Sequence, residues 1–235
     1  MIASVLGELL LRFTVFLTDK PSSPDSVNTG VGKQKTHIIL SSPPKIFKED
    51  FFMSNTKIKR NNLYCLVLCA VLIAMSIVLS NVKIIDMPYG GSITLFSMLF
   101  AALTGYFCGP RWGLMSGVVL GLLNLVIDPY ILFPLQVLLD YILAFGALGL
   151  SGFFSEKKYG LYIGYVVAIM GRFLCSFLSG FIFFAEYAPE GMNPIWYSFV
   201  YNILYIGGEG VLTLIVLALP PVKSALVRLK SQMIK

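Results

Sequence analysis

Three ionisable residues lie deep inside long apolar stretches: Asp140, Arg172 and Glu209. A charge at that depth is costly in hydrocarbon, so each is expected to face a bundle interior or a cavity and to have a partner there. At about 1.5 Å of rise per helical residue, counted from the outer ends of their segments, they sit roughly 15, 18 and 20 Å in and share one layer. Arg172 is expected to form a structural ion pair with Glu209 on the next helix, which leaves Asp140 as the unpaired negative charge. A lone buried carboxylate takes up a proton or waits for a cationic ligand. The alternative is a three-member salt-bridge network of Asp140, Arg172 and Glu209 that binds nothing.

The neighbours of these charges are polar and aromatic. Gln136 lies four residues before Asp140 and shares its helix face, and Tyr130 and Tyr141 add rings to the same segment. Ser176 and Ser179 follow Arg172 at four and seven residues, ahead of Phe183 and Phe184. Tyr197, Tyr201, Asn202 and Tyr205 make one broad face of the last apolar segment aromatic and polar. An interfacial aromatic belt accounts for Trp196 and Tyr197 without function, but not for Asn202, which lies deeper. Aromatic rings beside an acid suit a flat cationic ligand through stacking and cation–π attraction.

Six apolar segments must position these groups. The chain has 235 residues, 57% hydrophobic and 13% charged, with a mean hydropathy of +0.80. That balance belongs to an all-α integral membrane protein rather than a soluble domain. The expected spans are 64–81, 92–107, 112–127, 131–152, 161–184 and 195–219. Residues 1–52 read differently: Glu8 and Arg12 break the first apolar run, and Lys20–Asp50 is rich in Ser, Pro, Lys and Asp. Residues 1–52 are expected to be a disordered or mis-assigned extension, with Met53 opening a basic lead-in to the first span and 53–235 forming the membrane domain. From Met53 onward, ten Lys and Arg residues flank one side of the six spans and only Lys83 the other. The excess places both termini in the cytoplasm.

Composition also excludes several classes. The only histidine, His37, precedes the first span, so no His-based proton relay or intramembrane Ser–His pair is available. No GxxxxGK[ST] motif occurs, so the chain is not itself a P-loop ATPase. Cys65, Cys69, Cys108 and Cys175 all lie in apolar segments with no CxxC pair and read as packing thiols rather than metal ligands. The net charge of +6 is a topology signal, not a nucleic-acid footprint. Ala70 and Ala74 on the first span and Gly113, Gly117 and Gly121 on the third form small-residue stripes that permit close helix contact. For the glycines this means packing within the bundle; for the alanines an intermolecular docking face is a comparable reading.

Four stretches together, PYGGSITLFSM (88–98), PYILFPLQVLLDYILAFGALGLSG (129–152), GRFLCSFLSGFIFFAEYAPEGMNP (171–194) and YSFVYN (197–202), resemble the thiamine-specific S components of energy-coupling factor (ECF) transporters, the ThiT/YuaJ family, over about 57–222. The resemblance implies a six-helix S-component bundle that binds thiamine from outside. It implies partners: a transmembrane coupling protein and two cytoplasmic ATPases, which would use the ATP, with no cofactor on this chain. The family's docking face would be Ala70 and Ala74. Its ligand residues would fall on Asp140, for the thiamine cation, and on Tyr141, Tyr130, Tyr197, Asn202 and Phe184. Two positions depart from the pattern. Gly91 stands where some members carry a stacking Trp, and Ser176 stands where the fifth helix typically has His. Ser is shorter and never cationic, so weaker binding or preference for a thiamine precursor or another small vitamin is the first alternative. A stand-alone proton-coupled carrier is the second, and an intramembrane enzyme is disfavoured because no catalytic pair or metal set lies within the spans.

Overall fold

A computed structural model describes residues 46–87 and 91–233, with side chains for 62–87 and 91–232. The chain divides into two units, Met1–Asn62 and Leu63–Lys235, and every contact described below lies in the second. Of the expected extension 1–52, residues 1–45 lie outside the described residues, and 46–52 are the first turns of a helix.

That helix, α1, spans Ile46–Ser80. A short antiparallel hairpin follows, β1 (Lys83–Asp86) with β2 (Ser92–Thr94), paired through Lys83↔Thr94, Ile85↔Ile93 and Asp86↔Ser92. Next come α2 (Ser97–Cys108), α3 (Pro110–Ile127), α4 (Pro134–Phe154), α5 (Gly160–Phe183) and α6 (Pro194–Ala218). A last helix, α7, covers Pro220–Met233. The apolar part of α1 and all of α3 to α6 are long and apolar enough to cross a membrane.

The second expected span, 92–107, differs from the structure. Residues 92–94 are strand, and α2 has only 12 residues, about 18 Å, short of the ~30 Å apolar core of a bilayer. Ser97–Tyr106 are all buried, so neighbouring helices shield this short segment and the irregular backbone before it from lipid. Between α2 and α3 the chain reverses at Gly109, whose φ of 87° is open to glycine and strained for other residues.

Two helices are not uniform. In α4, Leu138–Leu143 is a π-turn, Ala144–Leu148 returns to α geometry, and Gly149–Phe154 tightens to 3-10. In α6, Ile203–Gly207 is a second π-turn. Such wide turns cluster at functional sites because they re-aim side chains within an otherwise regular helix.

The glycine stripe packs inside the bundle. A Cβ on Gly117 would lie 2.4 Å from the Phe145 carbonyl oxygen, and one on Gly121 would lie 1.9 Å from that of Tyr141. Only hydrogen fits at these positions, so α3 lies backbone against backbone on the π-turn of α4. Helix α7 was not expected from the sequence, although Val222, Leu226 and Leu229 carry its helical period. Those three side chains are buried with Lys230. The Lys230 ammonium donates to the Ser155 carbonyl, pairs with Glu156 at 3.5 Å and sits 4.3 Å over the Tyr106 ring. Burial pushes it below the usual lysine range, against the pull of Glu156.

Candidate functional site: a cavity with one excess negative charge

A cavity of about 250 Å³ is lined by residues of α1 to α6 and of the hairpin. Asp140, Tyr141, Tyr130, Ser176, Phe184, Tyr197 and Asn202, distant in sequence, all line it. Arg172 and Glu209 line it as well. Ala70 and Ala74 do not; they lie on the exposed face of α1 with Leu63, Leu66, Val67 and Val78.

Asp140 sits in the π-turn of α4. Its Oδ2 accepts the Gln136 amide at 2.8 Å and the Ser179 hydroxyl at 2.7 Å, so donors from α4 and α5 hold the carboxylate from both sides. Its Oδ1 has no partner among the described residues. The aromatic walls surround it. Tyr130 stacks on Phe184 with centroids 5.8 Å apart and planes 16° from parallel, and Phe184 meets Tyr187 at 5.8 Å. Along α6, Tyr197, Tyr201 and Tyr205 form a ladder with centroid separations of 5.9 and 5.6 Å.

Several polar groups are already committed. The Tyr141 hydroxyl accepts the Tyr130 N–H at 2.9 Å and donates to the Asp128 carbonyl at 3.1 Å. It therefore presents its ring to the cavity while its hydroxyl fixes the 128–130 backbone. The Asn202 amide nitrogen donates to the Ser198 carbonyl at 2.9 Å and approaches the Ser176 carbonyl at 3.4 Å. Its Oδ1 is left as an acceptor.

The expected ion pair between Arg172 and Glu209 does not form. Both oxygens of Glu209 are taken by the start of α2. Oε1 accepts from the Met98 N–H at 2.8 Å and the Ser97 hydroxyl at 3.2 Å, and Oε2 accepts from the N–H and hydroxyl of Thr94. A helix N-terminus offers unsatisfied N–H groups and a positive dipole end, and these outcompete a guanidinium across the cavity. Arg172 instead lies 4.3 Å over the Phe145 ring, and its buried Nε has no hydrogen-bond partner among the described residues. The three-member network expected as an alternative is absent for the same reason. Thr94 and Ser97 were missed as partners of Glu209; the polar residues opening an apolar helix at 97 were the available signal.

Three carboxylates line the cavity (Asp128, Asp140, Glu209) against two cations (Lys83, Arg172), which leaves one negative charge in excess. Among the described residues no group of three His, Cys, Asp or Glu side chains could hold a metal. The arrangement suits capture of one flat monocation.

The family model described as "Thiamine transporter protein (Thia_YuaJ)" matches residues 66–228, most of the chain. The chain belongs to this family. Two curated Thia_YuaJ relatives, both named "Thiamine transporter ThiT", are similar to it. The one from Bacillus subtilis (strain 168) is 34% identical over 167 residues, covering 64% of this chain and 86% of the relative. The one from Lacticaseibacillus paracasei is 27% identical over 155 residues, covering 58% and 73%. A solved structure of ThiT from Listeria monocytogenes superposes with a TM-score of 0.54 at 22% identity, over 73% of this chain and 94% of that one. It shares the all-helical membrane fold. Membership in the Thia_YuaJ family, with the apolar helices, makes this chain a multi-pass plasma-membrane protein.

Proposed function

We propose that this chain takes up thiamine as the substrate-binding membrane subunit of an ECF transporter. The observation that carries the reading is Asp140: a carboxylate held by two donors, with one oxygen free, in an aromatic cavity that has one negative charge in excess. The thiazolium cation rests against Asp140 Oδ1 beside the tyrosines of α6, and the pyrimidine ring lies against the Tyr130–Phe184 stack. The Asn202 carbonyl accepts from the exocyclic amine of the pyrimidine, and Ser176 supplies a short hydroxyl beside it. The chain is no enzyme: binding and release are its whole chemistry, and its curated relatives are named as transporters.

Energy comes from partners. A transmembrane coupling protein docks on the face of α1 that carries Ala70 and Ala74, where small side chains allow close helix approach. Two cytoplasmic ATPases hydrolyse the ATP. Both termini of the chain lie in the cytoplasm, as the excess of Lys and Arg on that side favours.

The experiment is calorimetric titration of the purified full chain in detergent with thiamine, with Trp196 fluorescence as a second readout. Tight one-to-one binding is expected. A folded sample that ignores thiamine overturns the reading. Ser176 favours a second reading, in which a thiamine precursor or another small vitamin is preferred, and a competition panel that includes the pyrimidine and thiazole precursors separates the two.

A further inference from the structure

Gln136 is the most buried polar side chain lining the cavity, with 1% of its surface exposed, and both of its donors are used. Its Nε2 donates to Asp140 Oδ2 at 2.8 Å and to the Tyr130 carbonyl at 3.2 Å, and its Oε1 accepts the Leu132 N–H at 3.2 Å. A primary amide has two N–H donors, and both are committed, so Gln136 has no donor left to offer a ligand. The two donated bonds lead to groups that line the cavity: Tyr130 carries the ring stacked on Phe184, and Asp140 carries the free carboxylate oxygen.

We propose that Gln136 is a specificity-determining positioning residue that holds the aromatic wall at Tyr130 and the carboxylate of Asp140 in one register. The inference rests on the thiamine reading above. Three further observations support it. The second donor on Asp140, Ser179, comes from α5 and makes no hydrogen bond to the 128–132 segment, so it cannot set that register. Tyr141 ties the same segment down at Asp128 and Tyr130 from the far side of Asp140. Asp140 and Tyr141 both sit in the π-turn, so Gln136 bridges the regular first turn of α4 to the widened one. A ligand with a cationic ring joined to a second ring gains from two subsites at a fixed separation, because binding one ring places the other. A single ring draws on one subsite and has no such gain.

The test compares thiamine with its N-methylated thiazolium half, titrated into the full chain in detergent. Gln136→Met keeps the side-chain length and removes all three hydrogen bonds. Ser179→Ala removes a donor from the same carboxylate oxygen and leaves the segment untouched. Gln136→Met is expected to weaken the thiazolium half only by about the factor seen with Ser179→Ala, since each removes one donor from Asp140, and to weaken thiamine at least tenfold beyond that. Ser179→Ala is expected to weaken both ligands by a similar factor. Equal weakening of both ligands by Gln136→Met overturns the proposal, because a residue that serves only Asp140 or the fold shifts both together. If Gln136→Met does not fold, Gln136→Leu carries the same comparison, since it also removes all three hydrogen bonds and adds no charge. Failure of the thiamine reading is separate: it appears as absence of thiamine binding to the unaltered chain.

Discussion

Glu209 Oε1 accepts the backbone N–H of Met98 at 2.8 Å, so a carboxylate from α6 caps the first turn of α2. The acid is 2% exposed and takes four donors, all from Thr94 to Met98. It joins the last spanning helix to the shortest one and to the hairpin beside the cavity.

Glu209→Ala strands the backbone N–H groups of Thr94 and Met98 in the protein interior, while the Thr94 and Ser97 hydroxyls keep each other at 2.6 Å. A loss of about 2–6 kcal/mol is expected, at about 1–3 kcal/mol for each buried N–H left without an acceptor. Thermal unfolding of the variant in detergent checks it. A melting temperature within a degree of the unaltered chain would contradict the capping role.

Arg172→Met is expected to do the opposite. Among the described residues the guanidinium has no ion pair and its Nε has no acceptor, so an apolar side chain of similar length removes a desolvation cost. The melting temperature should hold or rise. Thiamine should bind tighter, by about tenfold, because a like charge leaves the cavity. A fall in stability as large as that of Glu209→Ala would mean that the two side chains are paired after all.

Asp140→Asn keeps an oxygen for Gln136 and Ser179 and removes only the charge. Folding should be preserved, and thiamine affinity should drop about a hundredfold or more, in keeping with a few kcal/mol for a close charge pair out of bulk water. Calorimetry on a variant with an unchanged elution profile decides it; affinity equal to that of the unaltered chain would sink the cation-pairing mechanism.

Gly121→Ala places a Cβ 1.9 Å from the Tyr141 carbonyl oxygen. No rotamer relieves a clash with backbone, so α3 and the π-turn of α4 must separate. A loss of about 3 kcal/mol or more is expected, at the upper end for overpacking. Affinity should fall with it, since Asp140 and Tyr141 move. Gly207→Ala, whose Cβ would meet only Ile203 at 3.5 Å, is the control and should change neither.

Much of this was legible in the residues. Apolar runs of bilayer length located five long spans to within three residues at most ends, because hydrocarbon demands an uninterrupted apolar stretch whatever the tertiary fold. Asp140, Tyr130, Tyr141, Ser176, Tyr197 and Asn202 stood out as polar groups on greasy helices, which have only the interior to face; the family resemblance singled them out with Phe184 as a ligand set, and all seven line one cavity. The glycines of α3 announced close packing because they lack a Cβ.

The pairings were decided by the tertiary structure alone. Sequence spacing places Arg172 and Glu209 at similar depth on adjacent helices, but it is silent about the N-terminus of α2, which lies closer to Glu209 and offers more donors. It marks Tyr141 as a polar ring near the acid, yet whether its hydroxyl meets ligand or backbone depends on how the 128–130 segment folds over α4. The strand at Ser92–Thr94 and the two π-turns are equally invisible to a hydropathy pattern, since they follow from which backbone groups find partners across the bundle. Periodicity reports the face a residue occupies; the partner it meets there depends on the register of a different helix, which no local pattern encodes.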